Sequence, residues 1–211
     1  MKHRLLLKTI TLVCLLALFL CGCSSEGKEP ISVLVDDFRC YDEQELINAS
    51  ANIIVGTVTK TEILYNKNDD SYEELKRGAP TQFSHITVLH SLRGSVPENK
   101  EIVVPLEGDG KTLIVSNIRR VGGYFEKGDR VLLFLKEKSE KAWSSSKEHY
   151  PKFYRKTKKF RETFRVPISY YQSIYRLDEE GNILHNLNES NIALFQDCAT
   201  VDELVEKYNL N

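Results

Sequence analysis

Cys23 is the residue whose surroundings point most clearly to a chemical reaction. It follows a start with three basic residues, an apolar run over Thr9–Phe19 and the small residue Gly22. This order is typical of a secretory signal peptide, which is removed from the mature protein. A transmembrane anchor and an ordinary signal peptide are the alternatives. A transmembrane helix needs about 20 apolar residues, however, and here the polar stretch Ser24–Pro30 begins almost at once.

The stretch Leu20-Cys21-Gly22-Cys23 resembles the lipobox of bacterial lipoproteins. In that family the last cysteine receives a diacylglycerol on its thiol, and the peptide is cut just before it. Leu20 supplies the aliphatic residue three places before the cysteine, and Gly22 supplies the small residue one place before it. The resemblance implies that residues 1–22 are a signal peptide and that Cys23 is lipidated. Residues 23–35 would then tether a domain to the extracytoplasmic side of the cell membrane.

Two cysteines, Cys40 and Cys198, remain near the two ends of the expected folded domain. Outside the cytoplasm such a pair can form a disulfide. Closing so long a loop would contribute about 4–5 kcal/mol in the chain-entropy model. The alternative is a pair of buried thiols, because cysteine packs well as a small apolar residue.

A search for catalytic or metal-binding groups finds no recognised constellation. His85 and His90 lie five residues apart on one predicted strand, so they point to opposite faces and cannot share a metal ion. His149 and His185 stand alone, and no zinc-protease, nucleophile-elbow or phosphate-loop motif occurs. The sequence therefore predicts no catalytic residue, no metal and no cofactor.

Composition favours a single domain without nucleic-acid binding. Removing residues 1–22 leaves 189 residues, with 26 basic and 30 acidic side chains. This length suits one domain, expected over 36–211. A net acidic, exported chain is not expected to bind nucleic acid.

Hydrophobic spacing predicts a mainly β domain. A capping box at Asp42 begins a short helix over 43–51, and a second one at Thr200 begins a C-terminal helix. On the first long strand, alternation puts Ile54 and Val58 on one face and Val55 and Thr61 on the other. The predicted strands cover 53–65, 82–92, 101–106, 111–115, 130–136, 166–177 and 183–185.

Three short motifs are similar to those of exported bacterial domains that adopt the OB-like barrel of tissue inhibitors of metalloproteinases. They are Ile54-Val55-Gly56-Thr57-Val58, Leu92-Arg93-Gly94, and Gly122-Gly123 followed by Leu132-Leu133-Phe134-Leu135. The resemblance implies a small antiparallel OB-like barrel with its core at about 41–138. The inhibitors' zinc-chelating terminal cysteine is not carried over, since Cys23 is expected to be acylated. A shared fold does not imply a shared function.

The segment Trp143–Arg165, called here the basic–aromatic segment, differs in composition from the rest. From Lys147 to Arg165 it carries eight basic and two acidic residues, interleaved with aromatic ones. Next to a membrane, such a segment can bind anionic lipid or an envelope polyanion; the alternative is a solvated loop whose aromatic residues pack on the barrel. The cations expected to bind are Lys152, Arg155, Lys156, Lys158, Lys159 and Arg161. Residues 166–211 would add a hairpin and the last helix.

The favoured hypothesis is a non-enzymatic, lipid-anchored envelope protein that serves as a binding or interaction module. OB-like barrels bind ligands on one sheet face and its rim loops. The first alternative is an inhibitor or regulator of an exported hydrolase, and thus a protein partner. The second alternative is a hydrolase with an unrecognised site.

We expect the mature chain to begin at Cys23 and to carry diacylglycerol there, as mass spectrometry of the N-terminal peptide would show. Cys23→Ser should abolish both cleavage and lipidation, because serine offers no thiol. Cys21→Ser, two residues earlier, should leave both intact. A mature terminus at another residue, or an unmodified Cys23, would contradict the assignment.

Overall fold

The structure is a computed structural model that describes residues 29–33, 40–67, 74–116, 119, 123–137, 155–170, 172–184 and 194–210. Cys23, Lys152, His149 and His185 lie outside these residues. The strands are β1 (Ile31–Val33), β2 (Asn52–Asn66), β3 (Ala79–Arg93), β4 (Glu101–Glu107), β5 (Leu113–Val115), β6 (Arg130–Leu135), β7 (Ile174–Leu177) and β8 (Ile183–Leu184). The helices are α1 (Glu43–Ala49) and α2 (Val201–Tyr208), with a 3₁₀ turn at Lys158–Phe160.

Six strands form one antiparallel sheet in the order β4-β3-β2-β6-β7-β8, while β1 and β5 pair in parallel beside it. This confirms the predicted mainly β class with a short first helix and a C-terminal helix. The apolar run of β6 is buried on both faces, and β6 lies between β2 and β7. A strand in the middle of a sheet with both faces covered has this continuous apolar composition.

The expected closed barrel is corrected, since β4 and β8 do not pair and the sheet is open over the described residues. A non-strand stretch, Thr163–Ile168, bridges the gap between β4 and β6. Val103 exchanges two backbone hydrogen bonds with Thr163 and Arg165, each 2.9 Å long. Farther along, Val166 accepts from Lys136 at 2.8 Å, and Ile168 donates to Phe134 at 3.0 Å. The end of the basic–aromatic segment thus ties two strands together without adding a regular strand.

One predicted strand is shorter than expected, for identifiable reasons. Only Ile174–Leu177 of the predicted strand 166–177 pairs as a strand. Before it, Ser169 and Ser173 form a buried turn, in which Ser169 donates its backbone N–H to the Ser173 hydroxyl at 3.0 Å. Pro167 also lacks a backbone donor. Serine side chains that bond the backbone locally compete with strand pairing.

A β-bulge in β2 changes which side chains of this strand point to each face of the sheet. The register with β3 shifts between Val58 and Lys60, so the residue between them has no partner on β3 and the alternation of side chains reverses after it. Thr61 therefore lies on the same face as Ile54 and Val58, which corrects the prediction from strict alternation. Glu62 and Leu64 lie on the opposite face.

Gly56 allows β2 to approach β3 closely within the first core cluster. This cluster includes Ile54, Val58, Ile86 and Phe125. A Cβ at Gly56 would lie 2.5 Å from Ile86 Cγ2 and 2.9 Å from the Thr87 carbonyl oxygen. Neither distance is tolerable for a carbon atom, so the position requires glycine.

The opposite face of the sheet is covered by the two helices at one end. Leu46 and Ile47 of α1 and Leu204 of α2 pack against Phe134 and Phe195 in a second core cluster. Asp42 and Glu45 form the capping box that starts α1. Glu43 joins the helices: it accepts hydrogen bonds from Phe195 N at 2.7 Å and from Lys207 and Tyr208 of α2.

Gly56→Ala should lower the free energy of unfolding by about 1–3 kcal/mol, because the added methyl group overpacks the β2–β3 contact. Thr57→Ala, the next residue along, adds no atoms and should cost about 1 kcal/mol or less. Urea denaturation of the two variants measures the difference. Equal midpoints for Gly56→Ala and the parent protein would show that the close approach carries no constraint.

Candidate functional site

Two aromatic residues fix the described part of the basic–aromatic segment to the sheet. Phe160 is 5 % exposed and stacks on Phe83 of β3, with 5.8 Å between ring centroids. Phe164 lies 6.5 Å from the same ring. With Leu64 and Val103 they form a third apolar cluster. Burying one phenylalanine contributes about 1.5–3 kcal/mol, so the segment is held by packing as well as by its backbone bonds.

The aromatic residues and the cations divide between the two sides of the segment. Thr157 is 2 % exposed, and Phe160 and Phe164 follow it at helical spacing on the side toward the sheet. Five of the six described cations of the segment are exposed, namely Arg155, Lys156, Lys158, Lys159 and Arg161, whereas Arg165 is half-buried. The aromatic residues therefore pack on the sheet while these cations face outward, and binding of the segment to an anionic surface stays a prediction.

A buried histidine lies beneath this segment, between two carboxylates. Nε2 of His85 is 3.1 Å from Glu62 Oε1, and its Nδ1 is 3.0 Å from Glu101 Oε1. The ring is 8 % exposed and meets the Phe160 ring edge-on, with 5.3 Å between centroids.

Lysines complete this network and link it to the segment. Lys60 Nζ donates to Glu62 at 2.9 Å, and Lys159 Nζ lies 3.5 Å from the same oxygen and 4.3 Å from the Phe160 ring centroid. The hydrogen bond from Lys60 lowers the pKa of Glu62, burial opposes this, and Lys159 adds to the lowering. Glu62 is therefore anionic at neutral pH and attracts Lys159. Because these lysines are exposed, each ion pair contributes about 1 kcal/mol or less.

The sequence did not reveal this network, since strand register decides it. His85 lies opposite Lys60 on β2 and Val103 on β4. Glu62 and Glu101 each lie two residues from those positions, so all three side chains share one face. Because of the bulge before Lys60, a prediction from strict alternation places Glu62 on the wrong face and misses this network.

The two cysteines expected in the domain occupy different environments. Cys198 is 1 % exposed within the second core cluster, whereas Cys40 is exposed. Burial raises the pKa of the Cys198 thiol, and the neighbouring Asp197 carboxylate raises it further. A protonated thiol is a poor nucleophile, which fits a packing role. The Cys40–Cys198 disulfide stays a prediction, as does the lipidation of Cys23.

Within the described ranges, no group of three His, Cys, Asp or Glu side chains is arranged to hold a metal ion. His90 is separate from the His85 network, with its Nδ1 3.5 Å from Glu98 Oε1 on the exposed surface.

No protein-family model, curated protein or solved structure matches the chain. Of the helices in the described ranges, none has the length and apolar character needed to cross a membrane.

Phe160→Ala should lower the free energy of unfolding by about 3 kcal/mol, because it removes the ring that stacks on Phe83. It should also speed tryptic cleavage after Lys158 and Arg161, which the packed turn protects. Phe160→Leu retains most of the apolar contact and should cost about 1 kcal/mol. If Phe160→Ala is cut no faster than the parent protein, the aromatic packing does not hold the segment.

Proposed function

We propose that the chain is a lipid-anchored protein of the bacterial cell envelope, and that it acts as a non-enzymatic binding module for an anionic surface. The observation that carries the proposal is the row of five exposed cations, Arg155, Lys156, Lys158, Lys159 and Arg161, held on the sheet by Phe160 and Phe164. A fixed row of cations loses less conformational entropy on binding than the same cations in a disordered loop.

Electrostatics and the anchor reinforce each other in this proposal. Each Lys or Arg close to an anionic leaflet contributes about 1 kcal/mol. A lipid on Cys23 would hold the domain near that leaflet, so that the second contact forms at high effective concentration. Lipid and basic segment together would form a two-signal attachment.

The length of the tether supports the same geometry. β1 begins at Ile31, eight residues after Cys23, and Ile31 donates its backbone N–H to the Thr112 carbonyl oxygen at 3.0 Å. Eight extended residues span about 28 Å at most. The folded domain would therefore stay within reach of the headgroups, and the overall acidic charge of the mature chain would favour the basic segment as the contacting part.

The single tryptophan, Trp143, lies in the basic–aromatic segment and offers a specific optical signal. We expect its fluorescence in the full anchored chain to be quenched by brominated lipid in vesicles that contain phosphatidylglycerol. Arg155→Gln, Lys156→Gln and Lys158→Gln, combined, should remove most of the quenching, since they take away three of the exposed cations. High salt should do the same by screening.

The matched control neutralises three exposed lysines in other segments, Lys76, Lys100 and Lys136. It changes the net charge by the same amount and should leave the quenching as in the parent chain. Equal quenching in phosphatidylcholine vesicles, or equal loss in both triple variants, would reject the basic–aromatic segment as the binding surface.

A further inference from the structure

A second feature lies on the other face of β2, away from the basic–aromatic segment. Here a cleft of about 620 Å³ is bordered by Thr61, Ile63 and Tyr65 of β2, the β4–β5 turn, residues 123–127 and Arg176 of β7. The bulge in β2 creates this arrangement, because it turns Thr61, Ile63 and Tyr65 toward the face of the first core cluster. The cleft is thus the open end of that face.

One wall of the cleft carries two large apolar side chains that are partly exposed. Ile63 is 36 % exposed and Tyr65 is 37 % exposed, and only Leu184 joins them as a large exposed hydrophobic side chain among the described residues. Two of three such side chains therefore line a single cleft. Exposed apolar groups gathered in a concave site are typical of ligand binding.

The Tyr124 ring forms a fixed part of the cleft. Its hydroxyl donates to the Glu107 carbonyl oxygen at 3.0 Å and accepts from Val115 N at 2.9 Å. Gly110 has a φ of +70°, and a Cβ there would lie 2.5 Å from the Tyr124 ring. The β4–β5 turn is therefore packed directly against the ring, which makes the cleft preformed.

Cations predominate around this apolar wall. Lys111, Arg119, Lys127 and Arg176 line the cleft, against Asp109 and Glu126. Asp109 is engaged by its own turn: Oδ1 accepts from the backbone N–H groups of Lys111, Thr112 and Leu113 at 2.8–3.0 Å, and Oδ2 accepts from the Thr112 hydroxyl at 2.6 Å. Burial alone would raise the pKa of Asp109, but these hydrogen bonds hold it below its ordinary value.

Arg176 is also engaged, since its guanidinium donates to the Tyr124 carbonyl oxygen and lies 3.3 Å from Asp129 Oδ2. Lys111 and Lys127 are exposed at the rim. Together with Arg119 they outnumber the two carboxylates of the lining, Asp109 and Glu126, so the cleft keeps an excess of positive charge.

We propose that this cleft is a binding site for a small organic anion, in which a phosphate or carboxylate group is carried by an apolar or aromatic body. Lys111 and Lys127 attract the anion, and Ile63, Tyr65 and Tyr124 contact the body. The ligand is either a free organic anion or the headgroup region of an anionic lipid. The lipid source rests on the proposed function: Thr112, the residue after Lys111, accepts a backbone hydrogen bond from Ile31, where the proposed membrane tether would enter the domain.

The test uses the full chain in an uncharged detergent, with phenyl phosphate as the probe and ligand-observed NMR as the measurement. Phenyl phosphate should bind more tightly than inorganic phosphate, which lacks the ring, and than phenyl glucoside, which lacks the charge. The double variant Lys111→Glu/Lys127→Glu should weaken phenyl phosphate binding about tenfold. The matched variant Lys100→Glu/Lys136→Glu, with the same charge change at exposed sites outside the cleft, should bind as the parent does.

Unchanged binding by Lys111→Glu/Lys127→Glu, or equal binding of phenyl glucoside and phenyl phosphate, would overturn the proposal. Because both lysines are exposed, the double variant should fold as the parent does, and its thermal unfolding checks this. Ile63→Ser is a second, uncharged variant and should also weaken binding of the probe.

Two further arms separate the ligand sources and the two sites. Displacement of phenyl phosphate by monomeric dihexanoyl phosphatidylglycerol, but not by the phosphatidylcholine analogue, supports the lipid source; no displacement by either supports a free anion. The variant with Arg155, Lys156 and Lys158 changed to Gln should still bind phenyl phosphate. If that variant and the parent behave alike on vesicles while the cleft still binds its probe, the proposed surface fails and the cleft site remains.

Discussion

The close pairing of β2 with β3 at Gly56 is the constraint on which the rest of the structure depends. β2 is 15 residues long and pairs with β3 from Ile53 to Asn66, interrupted by the bulge, but with β6 only over Asn52–Thr57. The first half of β2 is therefore inside the sheet, where a Cβ at Gly56 would meet Ile86. After the bulge, the second half of β2 pairs with β3 but no longer with β6. Other parts of the chain contact the two faces of this half.

Each face of that extension carries a different chemistry. On one face, Leu64 joins Phe83 and Phe160, and the His85 ring lies between two carboxylates. On the other face, Ile63 and Tyr65 stay exposed beside cations. The hydrophobic contact of Phe160 contributes more to fixing the basic–aromatic segment than the ion pairs of Lys159 and Lys60 with Glu62, because those pairs are solvated and individually weak. In the proposed function, charge would determine which ligand is attracted, while apolar packing determines where the charges are held.

Sequence reasoning succeeded where one local pattern determines the structure. Period-two spacing located β2 and β3, continuous apolar runs located β4 and β6, and the capping residues Asp42 and Thr200 located both helices. It failed where a single residue changes the register or where side chains bond to the backbone. The bulge between Val58 and Lys60 reversed the faces of Thr61 and Glu62, and the Ser169–Ser173 turn replaced the first part of a predicted strand.

The candidate sites likewise include features that the sequence identifies and features that only the folded structure reveals. The cations of the basic–aromatic segment were identified from composition alone, but their support by Phe160 and Phe164 depends on long-range packing that sequence does not specify. The His85 network and the cleft were both missed, since each is assembled from several strands in a register that only the folded sheet defines.

Hydrogen–deuterium exchange of the full anchored chain in vesicles tests the central claim most directly, namely that the basic–aromatic segment contacts an anionic surface. The account predicts that amides over 155–161 exchange several-fold more slowly in vesicles with phosphatidylglycerol than in phosphatidylcholine alone, while amides of α2 exchange alike in both. The same exchange over 155–161 in the two kinds of vesicle would contradict it.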